Sequence, residues 1–301
     1  GLVVAAMPPL WDGGLVATNL ARPSAVPTYW LRAASYLDSQ GNSTRVLGLP
    51  VEDFAAYRWG VTADPVAPGL MTRSYVARQV VPQGEPDSVD LMAALDGSIQ
   101  NGVFDPNGLA AMARLISAGD ILVQNDLQYE RYSLPQPRAL WKSFQPAPAG
   151  TATAATFGTP APTPVIKFPL VDETSLGLPD ATPYPPALAV LSVPGARPIT
   201  RAESASQPLV LAGNGQGLVY AADAGLLGGN PTVLYSASFD NDPAGLARLL
   251  AQGAALVVTD TNASQGHRWG GLQDNFGYVE QPGEQPLEAD PSDARLPVCS
   301  A

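Results

Sequence analysis

Apolar residues along this chain recur with helical spacing, in stretches that are each followed by a short apolar run typical of a strand. The first helix is predicted over residues 27–40, where Pro27 suits the first turn and Gly41 suits the position after the last turn. A strand is predicted next, over residues 44–49. The predicted buried face of the helix carries four apolar residues: Trp30, Ala33, Ala34 and Leu37.

The same unit of helix, glycine and strand returns twice along the chain. An Asp-Pro pair opens each of these helices, because the carboxylate caps free N–H groups and proline fits the first turn. The second helix is expected to begin after Asp105 and to end at Gly119, before a strand over residues 120–123. The third unit has the corresponding features at Asp242, Gly253 and residues 255–259.

A fourth unit has the reverse order of elements. A strand over residues 208–212 leads through a glycine-rich turn, residues 213–217, into a helix and then a strand over residues 231–235. The predicted strands show no alternation of polar and apolar residues, which is typical of strands that are covered on both faces. Such strands, separated by helices, predict an α/β fold with a mostly parallel sheet.

The helices and strands are predicted to form two lobes. Residues 1–144 make the first lobe and residues 165–281 the second. Between them, residues 145–164 are rich in Pro, Ala and Thr and carry no charge, which predicts a linker. Residues 282–301 are predicted to be a connector tail.

The composition excludes several classes of partner and site. The chain has 301 residues and a net charge of −11, without a basic cluster, so no nucleic-acid partner is expected. With one cysteine, Cys299, and one histidine, His267, it has no intrachain disulfide, and we expect no metal site. The apolar start at residues 2–7 is too short to span a membrane by itself. It fits either a buried strand or the last turn of a transmembrane helix.

Two polar and aromatic runs are the candidates for a binding site. Flat aromatic faces stack on sugar rings, and planar polar groups bind hydroxyls. The second run follows a predicted parallel strand, where open α/β sheets bind their ligands. The alternative is a structural network of arginine, carboxylate and tyrosine side chains that holds the loops in place. The candidate residues are Tyr57, Arg58, Trp59 and Asp64 in the first run, Asp126, Tyr129, Glu130 and Arg131 in the second, and Asp260 and Asn262 after the last strand.

The glycine-rich turn offers a different hypothesis. Gly213 and Gly215 follow a strand and open a helix, as the phosphate-binding loop of a dinucleotide site would. Leu218 replaces the third glycine of that fingerprint, however, and this favours a plain strand-to-helix turn. A nucleotide-dependent α/β enzyme is therefore the third-ranked function.

Several motifs together resemble the actinobacterial α-(1→3)-arabinofuranosyltransferases. The motifs that carry this resemblance are Phe54-Ala55-Ala56-Tyr57-Arg58-Trp59-Gly60, Pro68-Gly69-Leu70-Met71, Tyr75-Val76-Ala77-Arg78, Asp126-Leu127-Gln128-Tyr129-Glu130-Arg131-Tyr132, Gly215-Gln216-Gly217-Leu218, Val258-Thr259-Asp260-Thr261-Asn262, Arg268-Trp269 and Asn275-Phe276-Gly277-Tyr278. Enzymes of this family are multi-spanning GT-C glycosyltransferases, which use decaprenyl-phosphate arabinose to extend the arabinan of the cell wall.

The resemblance implies that this chain is the extracytoplasmic α/β region that follows the membrane part. The family's catalytic carboxylates lie on loops between membrane helices, so no catalytic residue is carried over to this chain, and no cofactor is expected in it. Residues 2–7 would be the exit of the last membrane helix. The implied partners are the N-terminal membrane domain of the parent enzyme and cell-wall arabinan, on the periplasmic face. The alternative function is a non-catalytic carbohydrate-binding or scaffold module.

Overall fold

The computed structural model describes residues 25–52, 54–79, 84–100, 103–129, 134–161, 181–204 and 206–259. Its α-helices are α1 (Thr28–Ser39), α2 (Ala67–Leu70), α3 (Pro86–Gln100), α4 (Leu109–Leu115), α5 (Pro137–Ser143), α6 (Gly215–Asp223) and α7 (Pro243–Ala251). Its strands are β1 (Arg45–Leu49), β2 (Ala55–Tyr57), β3 (Gly60–Ala63), β4 (Tyr75–Val76), β5 (Ala118–Gln124), β6 (Ala152–Phe157), β7 (Leu188–Ser192), β8 (Leu209–Ala212), β9 (Val233–Tyr235) and β10 (Ala255–Val258). The fold is therefore α/β, as the pattern predicts.

The larger sheet has the strand order β4-β1-β5-β7-β6 and is mixed, so the prediction of a mostly parallel sheet is wrong for it. Strands β4, β1 and β5 are parallel, whereas β7 runs antiparallel to both β5 and β6. Burial of β7 explains why the sequence pattern does not reveal the direction of this strand. The first four residues of β7 are buried, and a strand covered on both faces has the same apolar sequence in either direction.

Residues 152–157 are the edge strand β6 rather than part of a linker. Strand β6 pairs with β7 over its whole length, with a bulge between Thr153 and Ala155. Absence of charge predicted a linker here, but threonine and phenylalanine also favour strands, and the threonines are exposed as an edge strand tolerates, whereas Phe157 is partly buried against the core.

The smaller sheet has the order β10-β8-β9 and is parallel throughout. Its central strand β8 is buried, whereas Leu256 and Val258 of the edge strand β10 are 50% and 74% exposed. The expectation that every strand is covered on both faces is therefore wrong for β10. The side chains of a strand are covered only where other elements pack on the faces of the sheet, and in the described residues Leu256 and Val258 lack such cover.

One continuous core joins the two halves of the chain. It contains Leu91 and Leu95 of α3 together with Leu209 of β8 and Leu218 of α6. Helices α3 and α6 pack so closely that a Cβ on Gly215 would lie 2.6 Å from the backbone N of Leu91. The predicted boundary between two lobes is thus crossed by shared packing.

A buried ion pair also fixes the larger sheet. Arg73, just before β4, donates from Nη1 to Oδ2 of Asp120 on β5 at 2.6 Å, and both side chains are at least 92% buried. The same guanidinium donates to the carbonyl of Leu37 at 3.0 Å and to the hydroxyl of Thr44 at 2.8 Å. This arginine therefore ties α1 and the start of β1 to the neighbouring strand β5.

The predicted starts of the two Asp-Pro helices are confirmed by their caps. The Asp105 carboxylate accepts from the Asn107 N–H at 2.8 Å, and a 3-10 turn over Pro106–Gly108 precedes α4. The Asp242 carboxylate accepts from the Gly245 N–H at 2.8 Å. Across the described ranges, none of the helices combines the length and apolar character that crossing a membrane requires.

Candidate functional site

The two polar-aromatic runs meet where the parallel strands β1 and β5 end. After β1 the chain enters the β2–β3 hairpin, and after β5 it enters the loop Asn125–Tyr129. The Arg58 N–H donates to the Asp126 carbonyl at 2.7 Å, and the Gln128 N–H donates to the Ala56 carbonyl at 2.8 Å. A pair of backbone hydrogen bonds thus joins runs that lie about 70 residues apart, at the end of the sheet where α/β folds bind ligands.

Asp126 is the centre of this junction. One oxygen of its carboxylate, Oδ2, accepts three hydrogen bonds, from the Tyr29 hydroxyl at 2.9 Å, the Trp30 indole at 2.8 Å and the Trp59 indole at 3.1 Å. Tyr29 and Trp30 belong to the first turn of α1, and Trp59 belongs to the turn between β2 and β3. A single carboxylate oxygen therefore links a helix, a hairpin and the loop after β5.

The electrostatics of Asp126 combine two opposed effects. Burial of the carboxylate is the larger effect and raises the pKa of Asp126 to about 6, while the hydrogen bonds from Trp30, Tyr29 and Trp59 pull this pKa down. Its other oxygen, Oδ1, accepts no hydrogen bond from the described part of the chain. The carboxylate is thus held in place, but its hydrogen bonds offset only part of the free-energy cost of removing it from water.

The ring of Tyr57 is enclosed by other aromatic rings. It stacks on Trp59, with centroids 4.9 Å apart and planes 13° apart, and meets the edge of Trp30 at 5.4 Å. Its hydroxyl accepts from the Val66 N–H at 3.0 Å, and the whole residue is 1% exposed. Burial raises the pKa of Tyr57 above its usual value. Tyr57 consequently stacks against the Trp59 ring and holds it in place.

Arg58, Trp59 and Tyr129 form the outer part of the cluster. The Arg58 guanidinium lies 5.0 Å from the centre of the Tyr129 ring, an arrangement that favours a cation–π contact. Arg58 and Trp59 are half-buried, and Tyr129 is buried. The side chain of Gln128 fixes the hairpin beneath them by donating to the Tyr57 carbonyl at 2.7 Å.

Of the remaining predicted residues the structure describes only Asp64, and it does not bring this residue into the cluster. Asp64 is exposed at the end of β3, where its carbonyl accepts from the Thr62 hydroxyl at 2.6 Å. Glu130, Arg131, Asp260 and Asn262 lie outside the described residues, as do residues 2–7. Their assignment to a binding site stays a prediction.

Sequence reasoning missed the helical donors to Asp126. Trp30 is predicted only as a core residue, and Tyr29 is not predicted at all. A signal for Trp30 does exist, because a buried indole N–H needs an acceptor, and the nearest apolar positions of α1 supply none. The identity of that acceptor, 96 positions along the chain, is not contained in the helix pattern.

A second buried carboxylate, Asp96, organises the other side of the β1 terminus. It accepts from Nε of Arg78 at 2.7 Å, from the Gln100 amide at 2.9 Å and from the Val51 N–H at 3.0 Å. Burial raises the pKa of Asp96, and the Arg78 guanidinium offsets part of that rise. Arg78 is one of the motif residues, and its observed contacts hold α3 against the end of β1.

The glycine-rich turn has no room for a phosphate group. The Asp90 carboxylate of α3 accepts from the Gly215 N–H at 2.5 Å, and the Asn214 side chain accepts from the Gly217 N–H at 3.2 Å. A Cβ on Gly217 would meet the Thr259 hydroxyl at 2.0 Å. The amides that would bind a pyrophosphate therefore already have partners, and α3 packs over them.

In the described residues no group of three His, Cys, Asp or Glu side chains could hold a metal ion.

The sequence model of a known family matches this chain over residues 1–292. Its description is "Alpha-(1->3)-arabinofuranosyltransferase, N-terminal GT-C domain". A search of curated proteins finds no match.

The fold is similar to solved structures of an arabinofuranosyltransferase. A cryo-EM structure of arabinofuranosyltransferase AftD from Mycobacteria aligns with a TM-score of 0.62 at 20% identity and covers 87% of this chain. A mutant of that enzyme aligns with a TM-score of 0.61 at 21% identity, also over 87% of this chain. The chain spans only 19% and 20% of the length of those two proteins.

Proposed function

Since this chain belongs to the α-(1→3)-arabinofuranosyltransferase family, we propose that it is the extracytoplasmic α/β part of a membrane enzyme that builds cell-wall arabinan. The observation that carries this proposal is the family match, which extends over residues 1–292 of 301. The parent enzyme transfers arabinofuranose from decaprenyl-phosphate arabinose to a hydroxyl of an arabinan acceptor, at the periplasmic face of the membrane.

The catalytic carboxylates of the parent enzyme lie outside this chain in our proposal. A general base must reach the hydroxyl whose proton it removes. Asp126 is buried: its Oδ2 already accepts three hydrogen bonds, and its Oδ1, which accepts none, is enclosed by protein, so neither oxygen is within reach of a substrate hydroxyl. Asp96 is equally committed to Arg78, Gln100 and the Val51 amide. These contacts support a structural role for both carboxylates.

The Asp126 cluster has a positioning role in this proposal. Helix α1 is the first described helix, and the segment before it includes residues 2–7, the expected exit of a membrane helix. Hydrogen bonds from Tyr29 and Trp30 to Asp126 fix the first turn of α1 against the end of the sheet. The first turn of α1 and the half-buried pair Arg58 and Trp59 are thereby joined through one carboxylate, and in our proposal this pair contacts the arabinan acceptor.

The transfer reaction tests the proposal directly. The full-length parent enzyme and the purified 301-residue chain are each incubated with labelled decaprenyl-phosphate arabinose and an arabinan oligosaccharide, and extended product is quantified. We expect transfer by the full-length enzyme and none by the chain alone. Turnover by the purified chain would place the catalytic groups within it, and absence of turnover by the full-length enzyme would reject the activity.

The nucleotide-dependent alternative has a separate test. Because Asp90 and Asn214 already accept from the amides of the glycine-rich turn, we expect no calorimetric heat on titrating the chain with NAD. Binding in the micromolar range would contradict this expectation and favour a nucleotide-dependent enzyme. A chain that binds arabinan while the full-length protein transfers no arabinose would instead support the carbohydrate-binding alternative.

A further inference from the structure

A second aromatic group lies at the same end of the larger sheet, in the segment that leads into β7. The backbone N–H of Asn125 donates to the Ala187 carbonyl at 2.9 Å, and its side-chain amide donates to the Pro186 carbonyl at 3.0 Å. Residues 181–187 are thereby fixed beside the loop Asn125–Tyr129. None of the candidate residues predicted from the sequence belongs to this segment.

Tyr184 of this segment carries an exposed ring that is held in place. It is 41% exposed, and the Arg138 guanidinium lies 4.7 Å from its ring centre. Arg138 is itself fixed, because its Nε and Nη2 both donate to the Thr182 carbonyl, at 3.0 Å and 2.6 Å. Arg138 thus lies over the ring while a large part of the residue stays accessible.

Proline makes the backbone around Tyr184 stiff. The local sequence is Thr182-Pro183-Tyr184-Pro185-Pro186, and each proline fixes its own φ and restricts the residue before it. Pro185 and Pro186 are buried and anchor the segment, while Tyr184 points outward. Binding of a ligand that stacks on this ring would therefore cost little conformational entropy, because the ring is already held in place.

We propose that Tyr184, backed by Arg138, is a stacking subsite for a sugar ring of the arabinan acceptor. The apolar C–H face of a sugar packs on an aromatic face, and Arg138 holds the ring in place for such a contact. Residues 181–187 carry no charge, the Arg138 guanidinium donates to the Thr182 carbonyl, and the chain has a net charge of −11, so an uncharged glycan suits this surface better than an anionic ligand. The assignment rests on the proposed function, which supplies the glycan as the ligand class.

The test measures glycan binding to the 301-residue chain and is independent of transfer activity. An arabinan oligosaccharide is titrated into the unmodified chain and three variants, Tyr184→Ala, Tyr184→Phe and Tyr220→Ala, and the dissociation constant is obtained by calorimetry or NMR. Tyr220 is a matched control because it is 40% exposed, on helix α6, away from this segment. Thermal melts of all four proteins confirm that each is folded.

We expect Tyr184→Ala to weaken binding by about 2- to 10-fold, the range that aromatic stacking supplies. Tyr184→Phe keeps the ring and should bind as the unmodified chain does, and so should Tyr220→Ala. Equal affinities of Tyr184→Ala and the unmodified chain, or no binding by a folded unmodified chain, would overturn the subsite. Either result leaves the transfer activity of the full-length enzyme, and hence the proposed function, to be judged by its own assay.

Discussion

Replacing Asp126 by asparagine should remove a specific part of the pH dependence of stability. The amide keeps an oxygen where Oδ2 accepts from Tyr29, Trp30 and Trp59, so the three hydrogen bonds retain an acceptor. It cannot ionise, however, and the cost of burying a charge is removed. The variant therefore tests whether burial of the Asp126 carboxylate opposes folding at neutral pH.

The sign follows from the direction of the shift. Burial raises the pKa of Asp126 from 3.8 in the unfolded chain to about 6 in the folded chain. The stabilising contribution of the protonated acid is therefore complete below about pH 4 and is lost as the pH rises through 6. The full loss is about 3 kcal/mol, of which about 2 kcal/mol falls between pH 4.5 and pH 7.5.

Denaturant unfolding at several pH values measures this difference. Tryptophan fluorescence is a suitable signal, because Trp30 and Trp59 both contact the Asp126 carboxylate. Between pH 4.5 and 7.5, the unfolding free energy of the unmodified chain should fall by about 2 kcal/mol relative to that of Asp126→Asn. Contributions from other titrating groups, including Asp96, cancel in the comparison.

Asp64→Asn is the matched control, because it removes an exposed carboxylate from the same end of the sheet. If the Asp126→Asn and unmodified curves run parallel across this pH range, the burial argument fails. Trp59→Phe gives a further check. It deletes one hydrogen bond that lowers the pKa of Asp126, so the pH-dependent loss of stability should move to higher pH.

Two further predictions concern packing and buried charge. Gly215→Ala should destabilise the chain by about 1–3 kcal/mol in urea unfolding, since its Cβ would overlap the Leu91 backbone. Gly97→Ala, in helix α3 with nothing within 4 Å of the added Cβ, should instead stabilise by about 0.5–1 kcal/mol, and equal effects of the two changes would contradict the packing argument. Arg73→Ala should cost about 3–5 kcal/mol, because it leaves a buried carboxylate without its partner. Arg248→Ala removes an exposed ion pair and should cost less than about 0.5 kcal/mol, so comparable losses in thermal melts would refute the burial argument.

The fold shows where local sequence is sufficient. All four residues predicted for the buried face of α1 are buried, and Gly41 follows that helix with φ of +85°, as a helix-ending glycine should. The corresponding prediction for the second helix, that it ends at Gly119, is wrong. Helix α4 ends before Ser117, which takes φ of +59°, whereas Gly119 lies in β5, where an added Cβ would overlap the Thr44 side chain. Contacts of the Ser117 hydroxyl with Arg201 and the Pro198 carbonyl stabilise this choice, and they lie more than 80 residues away.

The candidate site divides in the same way. Residue types alone indicated that Tyr57, Arg58, Trp59, Asp126 and Tyr129 belong to a polar-aromatic site, and the structure brings these five together. Their exposure was not predictable, because it depends on Trp30 and the β2–β3 hairpin, which enclose the Tyr57 ring. Tyr184 was missed for the opposite reason, since a lone tyrosine among prolines has no distinctive pattern until Arg138 is placed against it.

The sequence by itself determined helices α1, α4, α6 and α7, strands β1, β5, β8, β9 and β10, the capping residues and the family, because these depend on contacts within a few residues or on short motifs. Helices α2, α3 and α5 and the other five described strands were not predicted. Only the tertiary structure decided the direction of β7, the pairing of β6 and the partners of Asp126. The physical reason is that strand direction and burial depend on contacts between residues tens of positions apart. Such contacts leave the local pattern of apolar and polar residues unchanged.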